Sequence, residues 1–109
     1  MNHGLPEASQ RILETPHGKA VGTSYRWKGG QYCAIHTNRG VVGCGIYDIT
    51  CADEFHMAFA LAKGTPESPL REPEDLYEAT IVRVSAPARD LDITEGMTGM
   101  EALARMLAD

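Results

Sequence analysis

Cys33, Cys44 and Cys51 are the side chains of this sequence best suited to nucleophilic chemistry. Cys51 opens a predicted helix, where the helix dipole favours a thiolate, and a nearby imidazole would complete a Cys–His pair. His56 can be that imidazole, oriented by Asp53 three residues earlier on the same helix. The plainer reading is that Cys51 packs with Phe55, Ala58 and Ala62 as a buried thiol, and that Asp53 and His56 are a solvated pair. Cys44 stands between Gly43 and Gly45, a setting that lets a ligand or another backbone come close. Packing of a helix over those glycines is again the plainer alternative. Asp48 and Thr50 lie between the strand that holds Cys44 and the helix, where α/β units present functional groups. Together they can hold a polar ligand, although Asp48 suits a turn or a helix cap better.

Metal chemistry would have to draw on Cys33, His36, Cys44, Cys51 and His56. Cys33 and His36 are three apart on a predicted strand and so face opposite ways. A three-residue loop at 38–40 would pair Thr37 with Val41 and Cys33 with Gly45, which sets Cys33 and Cys44 on opposite faces. Neither a metal site nor a Cys33–Cys44 disulfide is expected on that register. There is no CxxC or HExxH, and Gly43-Cys44-Gly45 lacks the third glycine and the Lys-Ser or Lys-Thr of a phosphate loop. No cofactor is expected.

The elements that must position these groups divide at the middle of the chain. Short β-branched or aromatic runs at 11–15 (RILET), 19–27 (KAVGTSYRW), 31–37 (QYCAIHT) and 41–47 (VVGCGIY) are separated by turn signals at Pro16-His17-Gly18, Lys28-Gly29-Gly30 and Asn38-Arg39-Gly40. They predict an antiparallel meander of four strands. From Cys51 to Lys63 apolar residues recur at helical spacing, capped by Thr50 and ended by Gly64. Residues 65–75 carry three prolines and five charges, including Arg71, and read as a surface flap. A strand follows at 76–85, then a helical turn at 86–91. Thr98 and Glu101 form a capping box for a last helix, with Met100, Leu103, Ala104 and Leu107 as its apolar stripe. The fold class is α+β, one compact domain over 1–109 with a flexible start at 1–9.

Fifteen acidic against ten basic residues give a formal charge of -5. The basic residues are scattered, so neither nucleic acid nor a membrane surface is an expected partner. An odd number of cysteines, no secretion signal and no long apolar stretch point to a reduced, cytoplasmic protein.

Three segments, 40–47 (GVVGCGIY), 50–54 (TCADE) and 95–103 (EGMTGMEAL), resemble in order and spacing the YunC-like domain, a small bacterial and archaeal family of unknown function. Cys44-Gly45 and Gly96-Met97-Thr98-Gly99 carry the resemblance most specifically. It implies an α+β fold whose N-terminal strands form a tetramerisation region, and it implies no reaction. Members often carry Gly-Asp where this chain has His56-Met57, so no role of that acidic residue transfers. Tyr25, Trp27 and Tyr32 in the first strands suit either an interface core or the core of the single chain. The expected function is an oligomer binding a small polar molecule around Cys44, Gly45, Asp48, Thr50 and Cys51. An enzyme with Cys44 or Cys51 as nucleophile, assisted by Asp48 or His56, and a structural or adaptor subunit are the alternatives.

Overall fold

The meander forms as the turn residues dictate. In the computed structural model, which describes residues 4–108, β1 (Glu7–Thr15), β2 (Gly18–Trp27), β3 (Gly30–His36) and β4 (Val41–Cys44) pair antiparallel in sequence order. Gly29, at φ +111°, closes the two-residue turn between β2 and β3 in a conformation that favours glycine. Residues 1–3 of the expected flexible start lie outside the described residues. Glu7–Ser9 pair with Ser24–Arg26 in β1, a length the apolar run at 11–15 does not announce. Polar contacts hold it there: the Ser9 and Ser24 hydroxyls are 2.8 Å apart, and Arg11 bridges to Glu72 and Glu74.

The chain then departs from the sequence expectation. The first helix, α1, runs only from Ile49 to Glu54. His56 takes a left-handed conformation, φ 57°, and the Met57 amide bonds back to the Ala52 carbonyl at 2.8 Å. That is a left-handed helix stop of the kind glycine usually makes. With histidine in the position, the break leaves no mark in the sequence. The stretch expected to continue the helix is instead β5 (Phe59–Lys63), which pairs parallel with β4 and antiparallel with β6 (Thr80–Val84). Ala60, Leu61 and Ala62 are buried. A central strand covered on both faces reads as a continuous apolar run, which helical spacing matches equally well.

The result is a six-stranded mixed sheet in the order β1 to β6. One face carries Leu13, Cys33, Ile35, Val42, Cys44, Ala60, Ala62 and Ile81. It is covered by a 3-10 turn (Pro73–Leu76), α2 (Ala86–Arg89) and α3 (Gly99–Leu107). The Thr98–Glu101 capping box forms as expected, but the face of α3 that is buried is Gly99, Ala102, Leu103 and Met106. Alternation sends Thr23, Ala34, Gly43 and Leu61 to the other face. The buried Ile49 and Ala52 place α1 over part of it. Over β1 to β3 that face stays open, with Ile12 67% and Trp27 48% exposed.

Gly99 packs α3 onto the 3-10 turn so closely that an added Cβ would overlap the Leu76 carbonyl oxygen. Gly99→Ala is therefore expected to lower stability by about 1–3 kcal/mol in urea denaturation, the usual cost of overpacking. An unchanged midpoint would contradict this packing.

Candidate functional site

The loop between β3 and β4 decides which residues can meet. It spans four residues, 37–40, because Thr37 belongs to the turn: its hydroxyl oxygen accepts from the amides of Arg39 (3.2 Å) and Gly40 (3.0 Å). The last pair of the ladder is His36 with Val41, followed by Ile35 with Val42 and Ala34 with Gly43. One further step sets Cys33 opposite Cys44. The expected three-residue loop is thus corrected by one residue, and a slip of one residue turns a side chain to the other face. Cys33 and Cys44 share the covered face after all.

Both thiols are unpaired as disulfides. Cys33 is fully buried, and Cys44, at the end of β4, retains 8% exposure. Cys33 lies near enough to Cys44 for its thiol to favour charge on the Cys44 sulfur, and the amides of Cys33, Ile46 and Cys44 itself act the same way. These influences, the Cys33 thiol first, outweigh burial and draw the Cys44 thiol down from its ordinary value of 9.0 to about 6. Cys33 moves far upward, through the neighbouring Cys44 thiol first, then burial, then the charges of Cys44 and Asp75. Of the two thiols, Cys44 is the one whose ionisation is favoured. Burial, then the Cys44 charge, pushes the Tyr47 phenol upward too. Its ring lies against Gly43, where an added Cβ would come within 2.6 Å.

The other sequence candidates fall elsewhere. Gly45 is exposed beside Cys44. Asp48 is the N-cap of α1, its carboxylate accepting from the Thr50 amide at 2.9 Å. It therefore takes the capping role that the sequence assigned to Thr50. Thr50 and Cys51 are exposed, so Cys51 does not pack as a buried thiol. His56 is exposed at the helix stop, while the Asp53 carboxylate accepts from the Ala86 amide at 2.6 Å and so caps α2. Among the described residues no hydrogen bond joins Cys44 to Asp48, Thr50, Cys51 or His56. Cys33 is not among the expected site residues because a three-residue loop would turn it away from Cys44. The signal for the longer turn is Thr37-Asn38, both residues that favour turns through their own side chains.

Two cavities flank the sheet. One of about 900 Å³ lies at the far end of β3 and β4 from the thiols, with His17, Lys19, His36 and Arg39 in its wall. There Arg39 is already engaged, donating to the Arg105, Met106 and Ala108 carbonyls at the end of α3. The other, about 310 Å³, sits beyond the end of β5 between Lys63, Ser68, Asp75 and Glu78. Among the described residues no three His, Cys, Asp or Glu side chains gather as a metal ion requires. No helix there is long and apolar enough to cross a membrane.

Fold and site thus define an α+β protein with a six-stranded mixed sheet and a vicinal thiol pair at the end of a central strand. The chain belongs to the family described as a domain of unknown function, DUF1805, whose model matches residues 43–106, in keeping with the YunC-like resemblance. It is similar in fold to a protein of unknown function, TA1206, from Thermoplasma acidophilum. The two share 13% identity and superpose with a TM-score of 0.81 over 93% of this chain and 94% of that one. No curated protein matches the chain.

Between pH 6 and 9 Cys44 has lost its proton in the folded chain and keeps it in the unfolded one, whereas Cys33 stays protonated in both. The unfolded state then binds more protons, so the pair makes stability rise with pH across that window. The contribution is lost as pH falls through 6. Melting temperatures over this range should climb more steeply for the wild type than for Cys44→Ala, and equal slopes would contradict the coupling. Asp48→Ala should cost about 1 kcal/mol at every pH as a lost cap, read by urea denaturation.

Proposed function

We propose that this protein is an oligomeric, thiol-dependent catalyst of a reducing cytoplasm, acting on small electrophiles with Cys44 as nucleophile. The observation that carries the reading is the register that sets Cys33 opposite Cys44 at the end of β4, where the Cys33 thiol and neighbouring amides favour charge on the Cys44 sulfur. A thiolate is the reactive form of cysteine, and donors that lower its pKa raise the reactive fraction at neutral pH. The slight exposure of Cys44 favours a small substrate. Asp48, Thr50, Cys51 and His56 support the fold or face solvent in this reading.

Assembly enters through the open face of β1 to β3. Tyr25, Trp27 and Tyr32 stack there, with ring centroids 4.7 Å apart for Tyr25 and Tyr32 and 5.9 Å for Trp27 and Tyr32. Tyr47 and Phe59 extend the chain of rings. An aromatic surface beside the exposed Ile12 suits burial against another copy, and the YunC-like resemblance implies a tetramer. Native mass spectrometry should give four chains; a stable monomer at micromolar concentration would remove assembly from the account.

The chemical reading is tested by alkylation with iodoacetamide at a series of pH values, resolved by peptide mass. Cys44 should reach half its limiting rate near pH 6, with Cys33 protected in the folded chain. Cys33→Ala should move that midpoint upward by a unit or more, on the order of the shifts hydrogen bonds to a charged form produce. A Cys44 that stays unmodified while Cys51 reacts fully would overturn the reading.

A further inference from the structure

The second thiol asks for an explanation that nucleophilic catalysis alone does not supply. Cys33 is fully buried, so it meets no substrate directly and can reach reactants only through Cys44. Directly opposed residues of antiparallel strands have Cα atoms about 4.5–5.5 Å apart. Disulfides span about 4.4–6.8 Å. Continued one step from Ala34–Gly43, the register sets the two cysteines at a separation of that order. We infer that Cys33 and Cys44 form a dithiol–disulfide couple that reduces small hydroperoxides, with Cys44 as the attacking sulfur and Cys33 as the resolving one. The inference rests on the reading of Cys44 as nucleophile and names the substrate class for it.

The steps balance. Cys44 thiolate attacks the terminal oxygen of ROOH, the O–O bond breaks, and the departing alkoxide takes a proton from solvent, leaving as ROH. Cys44 is now a sulfenic acid with the Cys33 thiol beside it. Cys33 attacks Cys44 Sγ, the S–S bond forms, and the departing hydroxide takes the Cys33 proton, leaving as water. The dithiol has lost two electrons and the peroxide has gained them. A low-molecular-weight thiol restores the couple: it attacks Cys44 Sγ, the sulfur nearer solvent, and expels Cys33. A second thiol then releases Cys44 and carries away the disulfide.

Burial selects this substrate class over its competitors. A disulfide on another protein is too bulky to reach a residue that is only 8% exposed, whereas a hydroperoxide is slim enough. Acyl or alkyl transfer would make no use of a buried second thiol directly opposite the nucleophile. A sulfenic acid does, since an adjacent thiol intercepts it before further oxidation.

The test uses the full-length chain carrying Cys51→Ala, so that the exposed thiol contributes nothing. Treatment with equimolar hydrogen peroxide at pH 7 should consume two thiols per chain, remove two hydrogens from its mass, and give a linked Cys33–Cys44 peptide. Reduced glutathione should reverse all three. Added Cys33→Ser should stop the reaction at a sulfenic acid on Cys44, trapped by dimedone, and slow it roughly tenfold as the thiolate fraction falls. Added Cys44→Ala should abolish it. Intact thiols in the Cys51→Ala chain after peroxide, with Cys44 still alkylated rapidly near pH 6, would overturn the couple and leave the nucleophile reading standing. Slow alkylation of Cys44 would remove both. Disulfides between chains only would also overturn the inference, because the couple lies within one chain.

Discussion

The register between β3 and β4 is the constraint on which the site depends. It is set by a turn, not by the strands themselves: the Thr37 hydroxyl oxygen accepts from the amides of Arg39 and Gly40, and the Thr37 amide donates to the Gly40 carbonyl, so that Thr37 closes on Gly40 and His36–Val41 is the last pair of the ladder. Were Thr37 paired with Val41 instead, Cys33 would face Gly45, and the two thiols would lie on opposite sides of the sheet. The hydrophobic pattern agrees with the observed register, because it also turns Ile35 and Val42 toward α3 and the 3-10 turn.

Around that pair the fold supplies a dry and asymmetric setting. Cys33 lies within the covered face, below a 3-10 turn whose Pro73 and Leu76 are buried, while Cys44 ends its strand and reaches solvent. Asp75 opposes charge on Cys33 and Arg26 tempers that opposition. The asymmetry leaves Cys44 partly open to a small reactant and closes Cys33 to it. The change from antiparallel to parallel pairing at β4 follows from α1 carrying the chain to β5. It also leaves the end of β4 free of a hairpin that would close over Cys44.

Much of the fold was legible in the sequence. Glycine turns and alternating β-branched residues marked the meander, and Thr98 with Glu101 marked the last helix by a mechanism that survives intact. Two local events were not legible. His56 ends α1 in a conformation for which glycine is the usual sign, so the helical spacing of Phe55, Ala58, Phe59 and Ala62 read straight through the break. Thr37 counted as a strand residue because threonine favours strands, although it also favours turns. The second error is of one residue, the first carries the helix from Glu54 on to Lys63, and tertiary structure decides both. The first error concealed a strand and the second concealed the site. Cys44 and Gly45 stood among the residues the sequence marks, while Cys33, which the structure sets opposite Cys44, was assigned to the other face.

The most direct measurement of the central claim is an NMR pH titration of the folded chain with isotope-labelled cysteine Cβ atoms. If the register opposes Cys33 and Cys44 as described, the Cys44 resonance titrates near pH 6. The Cys33 resonance shifts with the same midpoint as its neighbour ionises, and it shows no ionisation of its own up to the pH at which the chain unfolds. Two independent titrations near 9, with neither resonance sensing the other, would place the thiols apart and contradict the account.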